Sequence, residues 1–250
     1  VDGGTIKLDG NYPVGSNNVA LGNNALSSGS LSGANNTAIG REAMVSNTSG
    51  SLNVALGSTT LDANTTGSSN TAVGQAALGA NTTASSNTAV GYQALLLNTT
   101  GAENVAIGRS ALDANTTASN NTAVGGAALG ANTTGASNTA IGRQALEANT
   151  TASNNTAVGY QAGFSTTTGD QNTFVGVETG DAINTGRRNT ALGSFSLTTD
   201  TKGSFSVAVG YGALNLQNFT SATDIYNTAV GSLAGNAVTT GIRNTLIGGL

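Results

Sequence analysis

N-T-A-V-G-Y-Q-A-L, at residues 87–95, is the stretch that decides the fold, because its first five residues return along almost the whole chain. The motif Asn-Thr/Val-Ala-Val/Ile/Leu-Gly, with single departures in a few copies, begins at Asn18, Asn36, Asn53, Asn70, Asn87, Asn104, Asn121, Asn138, Asn155, Asn172, Asn189, Ser206, Asn227 and Asn244. Every step from Asn36 to Ser206 is 17 residues. Chance does not hold one register for ten consecutive steps, so the chain is a repeat protein.

The full unit reads N-T-A-V-G-x-x-A-L-x-x-N-T-T-G-x-x, with positions numbered one to seventeen from the first Asn. Its Gly, Asn and Thr disfavour helix interiors, and the period is shorter than that of the common helical repeats. Two short segments, T-A-V and one centred on A-L, are flanked by turn residues and read as strands. The sequence therefore predicts an all-β fold, a parallel β-solenoid of about thirteen 17-residue coils.

Strand alternation places positions two and four of each unit on one face, which we expect to line the coil interior. Position four is always Val, Ile or Leu, and position nine, usually Leu, is expected to meet it from the opposite wall. The predicted coil core is Leu21, Ile39, Leu56, Val73, Val90, Ile107, Val124, Ile141, Val158, Val175, Leu192, Val209, Val230 and Ile247.

Position three lies on the other face of the same strand and is Ala in twelve of fourteen copies. Ala is a poor residue for a solvent-facing strand, so a line of Ala predicts a surface that another backbone approaches closely. We expect this line to be the interface of a homotrimer, formed by Ala20, Ala38, Ala55, Ala72, Ala89, Ala106, Ala123, Ala140, Ala157, Phe174, Ala191, Ala208, Ala229 and Leu246.

Two other positions have a structural interpretation. Asn at position one recurs in thirteen copies, and stacked Asn side chains are expected to form a ladder of amide hydrogen bonds. Gly at position five is present in all fourteen copies, which fits a corner that has a positive φ or no room for a Cβ.

Composition removes several classes of function. The 250 residues include no Cys, His or Trp, so a disulfide framework, a Cys/His zinc site and His or Cys catalysis are excluded. Only eight residues are basic and the net charge is −4, which argues against nucleic acid as a partner. No run of 18 apolar residues is present, so membrane insertion by this segment is not expected. We expect no cofactor and no metal.

The units near the C-terminus differ from the rest. All five Phe and three of the five Tyr lie between residues 160 and 226, and a four-residue insertion loop falls near 215–226. Exposed aromatic side chains suit contacts with sugars and proteins, so Tyr211, Phe219 and Tyr226 are candidate receptor-binding residues. The competing interpretation is that the aromatic residues fill the core, with Phe174 occupying space left by a smaller neighbour. Residues 1–17 are expected to cap or connect the repeat domain, which spans 18–250.

The repeat resembles the head repeats of YadA-type trimeric autotransporter adhesins and the N-T-A-V-G-Y-Q-A-L repeats of bacteriophage tail fibres. The match is fullest at residues 87–95 and covers 18–250. The resemblance implies a left-handed parallel β-roll in each chain, with three chains packed around an axis. It also implies an extracellular location, in a virion tail fibre or on a bacterial cell surface.

The expected function is thus a structural or adhesive segment of a trimeric fibre that presents or mediates attachment to a host surface through a glycan or protein receptor. One alternative is an ice-binding solenoid that uses Thr and Asn arrays, since N-T-T recurs six times without a break between Asn64 and Asn149. Another is an enzyme on a parallel β-helix, such as a polysaccharide lyase, which would need clustered carboxylates or basic groups in a cleft. Its activity would be lost on changing an acidic residue such as Asp181 or Asp224. We expect no catalysis, because the carboxylates are isolated in the sequence.

Overall fold

The computed structural model describes residues 17–249 and contains no helix in that range. The chain is all-β, a parallel β-solenoid of about thirteen coils of about 17 residues, as the repeat predicts. It divides into two compact units, Val1–Asn121 and Thr122–Leu250, which we describe separately. Apart from Asn17, the predicted N-terminal cap lies outside the described residues.

Each coil of the first unit contributes one three-residue strand to a parallel sheet. The strands are β1 (Val19–Leu21), β2 (Thr37–Ile39), β3 (Val54–Leu56), β4 (Thr71–Val73), β5 (Thr88–Val90) and β6 (Val105–Ile107). Equivalent repeat positions pair directly, so that Ala72 lies opposite Ala89 and Val73 opposite Val90. The repeat period therefore sets the strand register.

The second unit continues the same pattern and adds a small second sheet. Its main strands are β7 (Thr122–Val124), β8 (Thr139–Ile141), β9 (Thr156–Val158), β10 (Thr173–Val175), β11 (Thr190–Leu192), β13 (Val207–Val209), β15 (Thr228–Val230) and β16 (Thr245–Ile247). The additional strands β12 (Gly203–Ser204) and β14 (Thr223–Asp224) pair in parallel with each other. This second sheet forms where the unit is four residues longer.

Gly at position five ends every strand. All fourteen of these glycines have φ between 122° and 143°, a region that side-chain-bearing residues rarely adopt. A Cβ on Gly91 would also lie 2.5 Å from the carbonyl oxygen of Gly108 in the next coil. The corner predicted at this position is confirmed on both grounds.

The prediction of a second strand, centred on A-L, is wrong. This segment is a turn, because the residues at positions seven and nine adopt left-handed φ values, such as 56° at Gln93 and 54° at Leu95. Its backbone still bonds from coil to coil, with the Leu78 N–H donating to the Ala94 carbonyl at 3.0 Å. Each coil thus has one strand and a hydrogen-bonded perimeter of turns.

The predicted orientation of the strand is also wrong, since position three faces the coil interior. The residues with no accessible surface are Ala38, Ala55, Ala72, Ala89, Ala106, Ala123, Ala140, Ala157, Phe174, Ala191, Ala208 and Ala229, while Ala20 and Leu246, in the outermost described strands, are half-buried. A side chain that is fully covered by its own chain cannot contact another chain. The twelve fully buried residues therefore cannot form a subunit interface, and the line as a whole faces inward.

The position-four residues, predicted to be core, point outward instead. Among the strands before the last described one, six of these residues are exposed: Leu56, Ile107, Ile141, Val175, Leu192 and Val230. Ile247 in that strand is exposed as well, and the half-buried members are Leu21, Ile39, Val73, Val90, Val124, Val158 and Val209. Leu at position nine therefore does not meet position four, and is buried on the Ala side of the strand.

Phe174 and its neighbours give the physical reason for this orientation. A Cβ on Gly163 would lie 2.7 Å from Cδ2 of Phe174, and a Cβ on Gly180 would lie 2.5 Å from its Cδ1. These two glycines replace the Leu of position nine, Gly163 in the coil before Phe174 and Gly180 in the same coil as Phe174. Likewise, Leu246 at position three occupies the space that a side chain at Gly235 would need. The interior is so narrow that a large residue at position three requires Gly at position nine. The core-filling interpretation of Phe174 is confirmed.

Two ladders of buried Asn side chains join the coils. At position one, Oδ1 of Asn87 accepts the Asn104 N–H at 3.0 Å, and Nδ2 donates to the Gly101 carbonyl at 2.9 Å. At position twelve, Nδ2 of Asn81 donates to Oδ1 of Asn64 at 2.8 Å. The predicted Asn ladder is confirmed, and a second ladder accompanies it.

Candidate interaction surfaces

The outer face of the sheet carries the side chains of positions two and four. In the first unit, Leu56 is 45% exposed and Ile107 is 40% exposed, although both lie in strands. Val54 at position two is exposed beside Leu56. Solvent-facing strand positions normally carry polar residues, so this outer sheet face, meaning positions two and four of the strands, is a candidate interaction surface.

The second unit presents the same outer sheet face with a regular Thr column. Position two is Thr in the five consecutive strands β7 to β11, and each of these side chains is half-buried. Ile141, Val175 and Leu192 at position four of the same strands are exposed. The face thus combines one column of hydroxyl and methyl groups with one column of aliphatic side chains.

Position six lies just beyond the strand and carries exposed side chains at one edge of the face. In the second unit, the guanidinium of Arg143 lies 5.8 Å from the ring centre of Tyr160 in the next coil. Tyr211 is 55% exposed, and its ring meets that of Phe195 edge-on at 5.8 Å. The candidate receptor residue Tyr211 is therefore exposed, but it belongs to a different edge from Tyr226.

Position seventeen, just before the strand, carries a column of planar side chains in the last coils of the second unit. The rings of Phe205 and Tyr226 stack at 5.1 Å with an angle of 22° between their planes. The guanidinium of Arg188 lies over Phe205 at 5.4 Å, and its Nε donates to Oε1 of Gln171 at 2.8 Å. Arg243 occupies the next coil after Tyr226. The four residues Arg188, Phe205, Tyr226 and Arg243 are called the planar column.

Phe219, the third candidate receptor residue, is only 9% exposed, so its prediction as a binding residue is wrong. It is held by the insertion loop, where the Phe219 N–H donates to Oδ1 of the buried Asp200 at 3.0 Å. The second oxygen of Asp200 accepts Nε2 of Gln217 at 2.7 Å, and Oε1 of Gln217 accepts Nδ2 of Asn227 at 2.8 Å. These buried hydrogen bonds replace the Asn ladder at the longer unit and anchor the loop to the coil.

The carboxylates of the described residues include no candidate metal site. Within residues 17–249, no group of three or more His, Cys, Asp or Glu side chains is arranged to hold a metal ion. Burial, with Glu178 nearby as a second cause, raises the pKa of Asp181 to about 6. Its buried Oδ1 has no hydrogen-bond partner in the described part of the chain. The described residues also include no helix that is long and apolar enough to cross a membrane.

The N-T-T segments do not form an outer array of both residue types. Asn64 and Asn81 are buried in the second ladder, and the hydroxyl of Thr65 donates to the Thr82 carbonyl at 3.0 Å. Only the second Thr of each segment, such as Thr66, is exposed. The Asn part of the predicted ice-binding array is therefore wrong, and a Thr column at position two of the strands replaces it.

Comparison with known proteins adds no assignment. No protein-family model matches the sequence, and neither the curated proteins nor the solved structures include a match.

Proposed function

We propose that the chain is a structural segment of a homotrimeric extracellular fibre that presents or mediates attachment to a host surface, in a phage tail fibre or a bacterial adhesin. The subunit contact in this proposal is the outer sheet face, not the line of Ala. The YadA-like and tail-fibre-like motif supports the trimer and the extracellular setting, and the exposed aliphatic column supports the contact.

The observation that carries the proposal is the exposure of the position-four side chains. Ile141 is 41% exposed in a parallel strand, and its equivalents in the neighbouring coils are also aliphatic. Parallel sheets are usually covered on both faces, because their strands otherwise leave apolar side chains in water. The coil interior covers one face, and a second copy of the chain is the cover that we propose for the other. Burial of this face would contribute about 25 cal/mol for each Å² of apolar surface.

The mass in solution tests the proposal. Light scattering on a sizing column is expected to give about three times 24.3 kDa, maintained on dilution. The variant Ile107→Glu/Ile141→Glu places one carboxylate on the outer sheet face of each unit. It is expected to elute as a single chain with its β circular-dichroism spectrum retained, because unpaired charges are costly to bury in an interface.

The matched control is Tyr92→Glu/Tyr160→Glu, which adds the same two charges at exposed position six. This control is expected to keep the mass of the wild type. A wild-type chain that is monomeric at all concentrations would contradict the proposal. So would an interface variant that assembles as well as the control does.

Ice binding is the second candidate, and the Thr column of β7 to β11 favours it. Hydroxyl and methyl groups recur there once per coil, at about 4.8 Å for parallel strands. In this case the chain would be a monomer with the outer sheet face free. It would inhibit ice recrystallisation at low concentration, and Thr139→Lys/Thr173→Lys would abolish the effect. A chain that is an assembly and has no such effect excludes this candidate.

A further inference from the structure

The planar column departs from the repeat in a way that the fold does not require. Apart from Leu52, position seventeen is small or polar in earlier coils, as at Ser69, Ser86, Glu103, Asn120, Ser137 and Asn154, all with the same left-handed φ near 60°. Those coils stack without large side chains at this position. Coil stacking therefore does not require the large side chains of the planar column. Their function is expected to be the binding of another molecule.

The column concentrates positive charge in an acidic protein. Four of the eight basic residues lie between 187 and 243: Arg187, Arg188, Lys202 and Arg243. None of these four has an ion-pair partner within the described part of the chain, and each is exposed. Of the two acidic residues in the same range, Asp200 is buried and its carboxylate is hydrogen-bonded inside the coil, which leaves Asp224 as the exposed one. Within the planar column itself, Arg188 and Arg243 thus present two positive charges and no carboxylate, although the net charge of the chain is −4. The exposed Asp170 directly precedes Gln171.

The stacking determines which groups face solvent. Arg188 from the preceding coil and Tyr226 from the following coil both pack on the Phe205 ring, so its faces are engaged within the column. Tyr226 is 49% exposed. The column therefore offers ring edges, a phenol group and guanidinium N–H donors in a line along the coil stack. Ring edges and guanidinium groups carry positive potential and suit negatively charged acceptors.

Arg188 and Arg243 are three coils apart, which corresponds to about 14 Å at about 4.8 Å per coil. A ligand that contacts both must be extended and must carry repeated negative charges. We propose that the planar column binds an acidic polysaccharide lying along the coil stack. Its carboxylate or sulfate groups meet Arg188 and Arg243, while sugar hydroxyls meet the phenol of Tyr226 and the amide of Gln171. This ligand class rests on the proposed attachment function, but the site does not depend on the subunit contact.

Calorimetry on the full chain tests this site with defined probes. Oligogalacturonate supplies carboxylates, its methyl ester is the neutral match, and a chondroitin sulfate oligosaccharide supplies sulfates. At least one acidic probe is expected to bind, with an affinity that falls as salt is added. If oligogalacturonate binds, its methyl ester is expected to bind at least tenfold more weakly. The difference between the two acidic probes identifies the anionic group.

Variants locate the site. Arg188→Gln/Arg243→Gln is expected to weaken binding at least tenfold, whereas Arg109→Gln/Arg143→Gln, with the same change in charge at position six, is expected to stay within twofold. Phe205→Ser/Tyr226→Ser restores the residue type of other coils and should fold, yet weaken binding by a similar factor. Absence of binding to both acidic probes overturns the inference, as do equal losses in the two Arg pairs.

The mass of every variant separates the two proposals. Position seventeen is not part of the outer sheet face, so the planar-column variants are expected to keep the wild-type mass. A chain that is monomeric but binds the acidic probe contradicts the fibre and leaves the site in place. A trimer that binds neither probe contradicts the site alone.

Discussion

At the scale of the residue, position nine is where the coil is most constrained. Leu occupies this position at φ near 50°, a conformation that is costly for a residue with a Cβ. The cost is offset because the Leu side chain is buried in the coil interior, as at Leu129 and Leu146. Where Gly replaces Leu at positions 163 and 180, the Phe174 ring takes the volume.

The exchange between positions three and nine predicts a specific rescue. Phe174→Ala is expected to cost about 3–5 kcal/mol of unfolding free energy, because it leaves a cavity between two glycines. Adding Gly163→Leu and Gly180→Leu should recover most of this loss, since these are the residues of the other coils. Urea denaturation followed by circular dichroism measures both. A triple variant less stable than Phe174→Ala would contradict the exchange.

Asp181 gives a prediction of pH dependence. Its pKa is raised from 3.8 to about 6, so the folded state holds the proton more tightly than the unfolded state does. Its contribution to stability is therefore fully present below about pH 4 and is lost as the pH rises through about 6. Asp181→Asn should raise the melting temperature relative to wild type at pH 7.5, with a gain that disappears near pH 4.

The control for this prediction is Asp224→Asn, at an exposed site, which should change the melting temperature little at either pH. A gain for Asp181→Asn that is equal at pH 4 and pH 7.5 would show that the carboxylate is not the cause.

At the scale of the element, each three-residue strand is too short to be stable alone and depends on the ladders beside it. The two Asn columns meet on the same carbonyl groups: Ala84 accepts Nδ2 of Asn70 at 2.9 Å and Nδ2 of Asn81 at 3.0 Å. Both ladders thereby bond the backbone carbonyl of position fifteen, at the end of the turn that follows position twelve. This explains why a polar residue type is so frequent in the coil interior.

Removal of one ladder residue should therefore be costly. Asn87→Ala leaves the buried Asn104 N–H without its acceptor, and we expect a loss of about 1–3 kcal/mol in unfolding free energy. Thr100→Ala, at an exposed position of the same coil, should stay within about 0.5 kcal/mol of wild type. The same urea titration compares the two variants. Equal stability of both would argue against a structural role for the ladder.

At the scale of the whole molecule, the proposed assembly links stability to concentration. If the outer sheet face is buried between copies, unfolding is coupled to dissociation, and the melting temperature should rise with protein concentration. Ile107→Glu/Ile141→Glu should lower the melting temperature and remove its dependence on concentration. Scanning calorimetry over a hundredfold range of concentration measures this. A wild-type melting temperature that is independent of concentration would contradict the coupling.

The candidate sites were only partly visible in the sequence. Tyr226 is predicted as a receptor-binding residue and Phe205 is one of the five Phe in the same range, but their stacking is not predicted, although each directly precedes a repeat motif and so shares position seventeen. The four-residue insertion between them hides this register when distances are counted along the chain. The prediction for Phe219 is wrong because an insertion loop suggests exposure, whereas the Phe219 N–H and Nε2 of Gln217 both donate to the buried Asp200 and hold this segment against the coil.

The repeat fixed the period, the parallel pairing, the T-A-V strand, the Gly corner and the first Asn ladder, because each of these depends on local conformation and on register. It did not fix which side of the strand faces inward. Alternation defines two faces of the strand, and the choice of the inward face depends on the width of the coil interior. The left-handed turns at positions seven and nine, on the opposite side of the interior, determine that width. That width admits Ala opposite Leu, so the larger aliphatic side chains face outward. The sequence shows the effect of this narrow interior at one place, where the large Phe174 at position three occurs together with Gly163 and Gly180 at position nine.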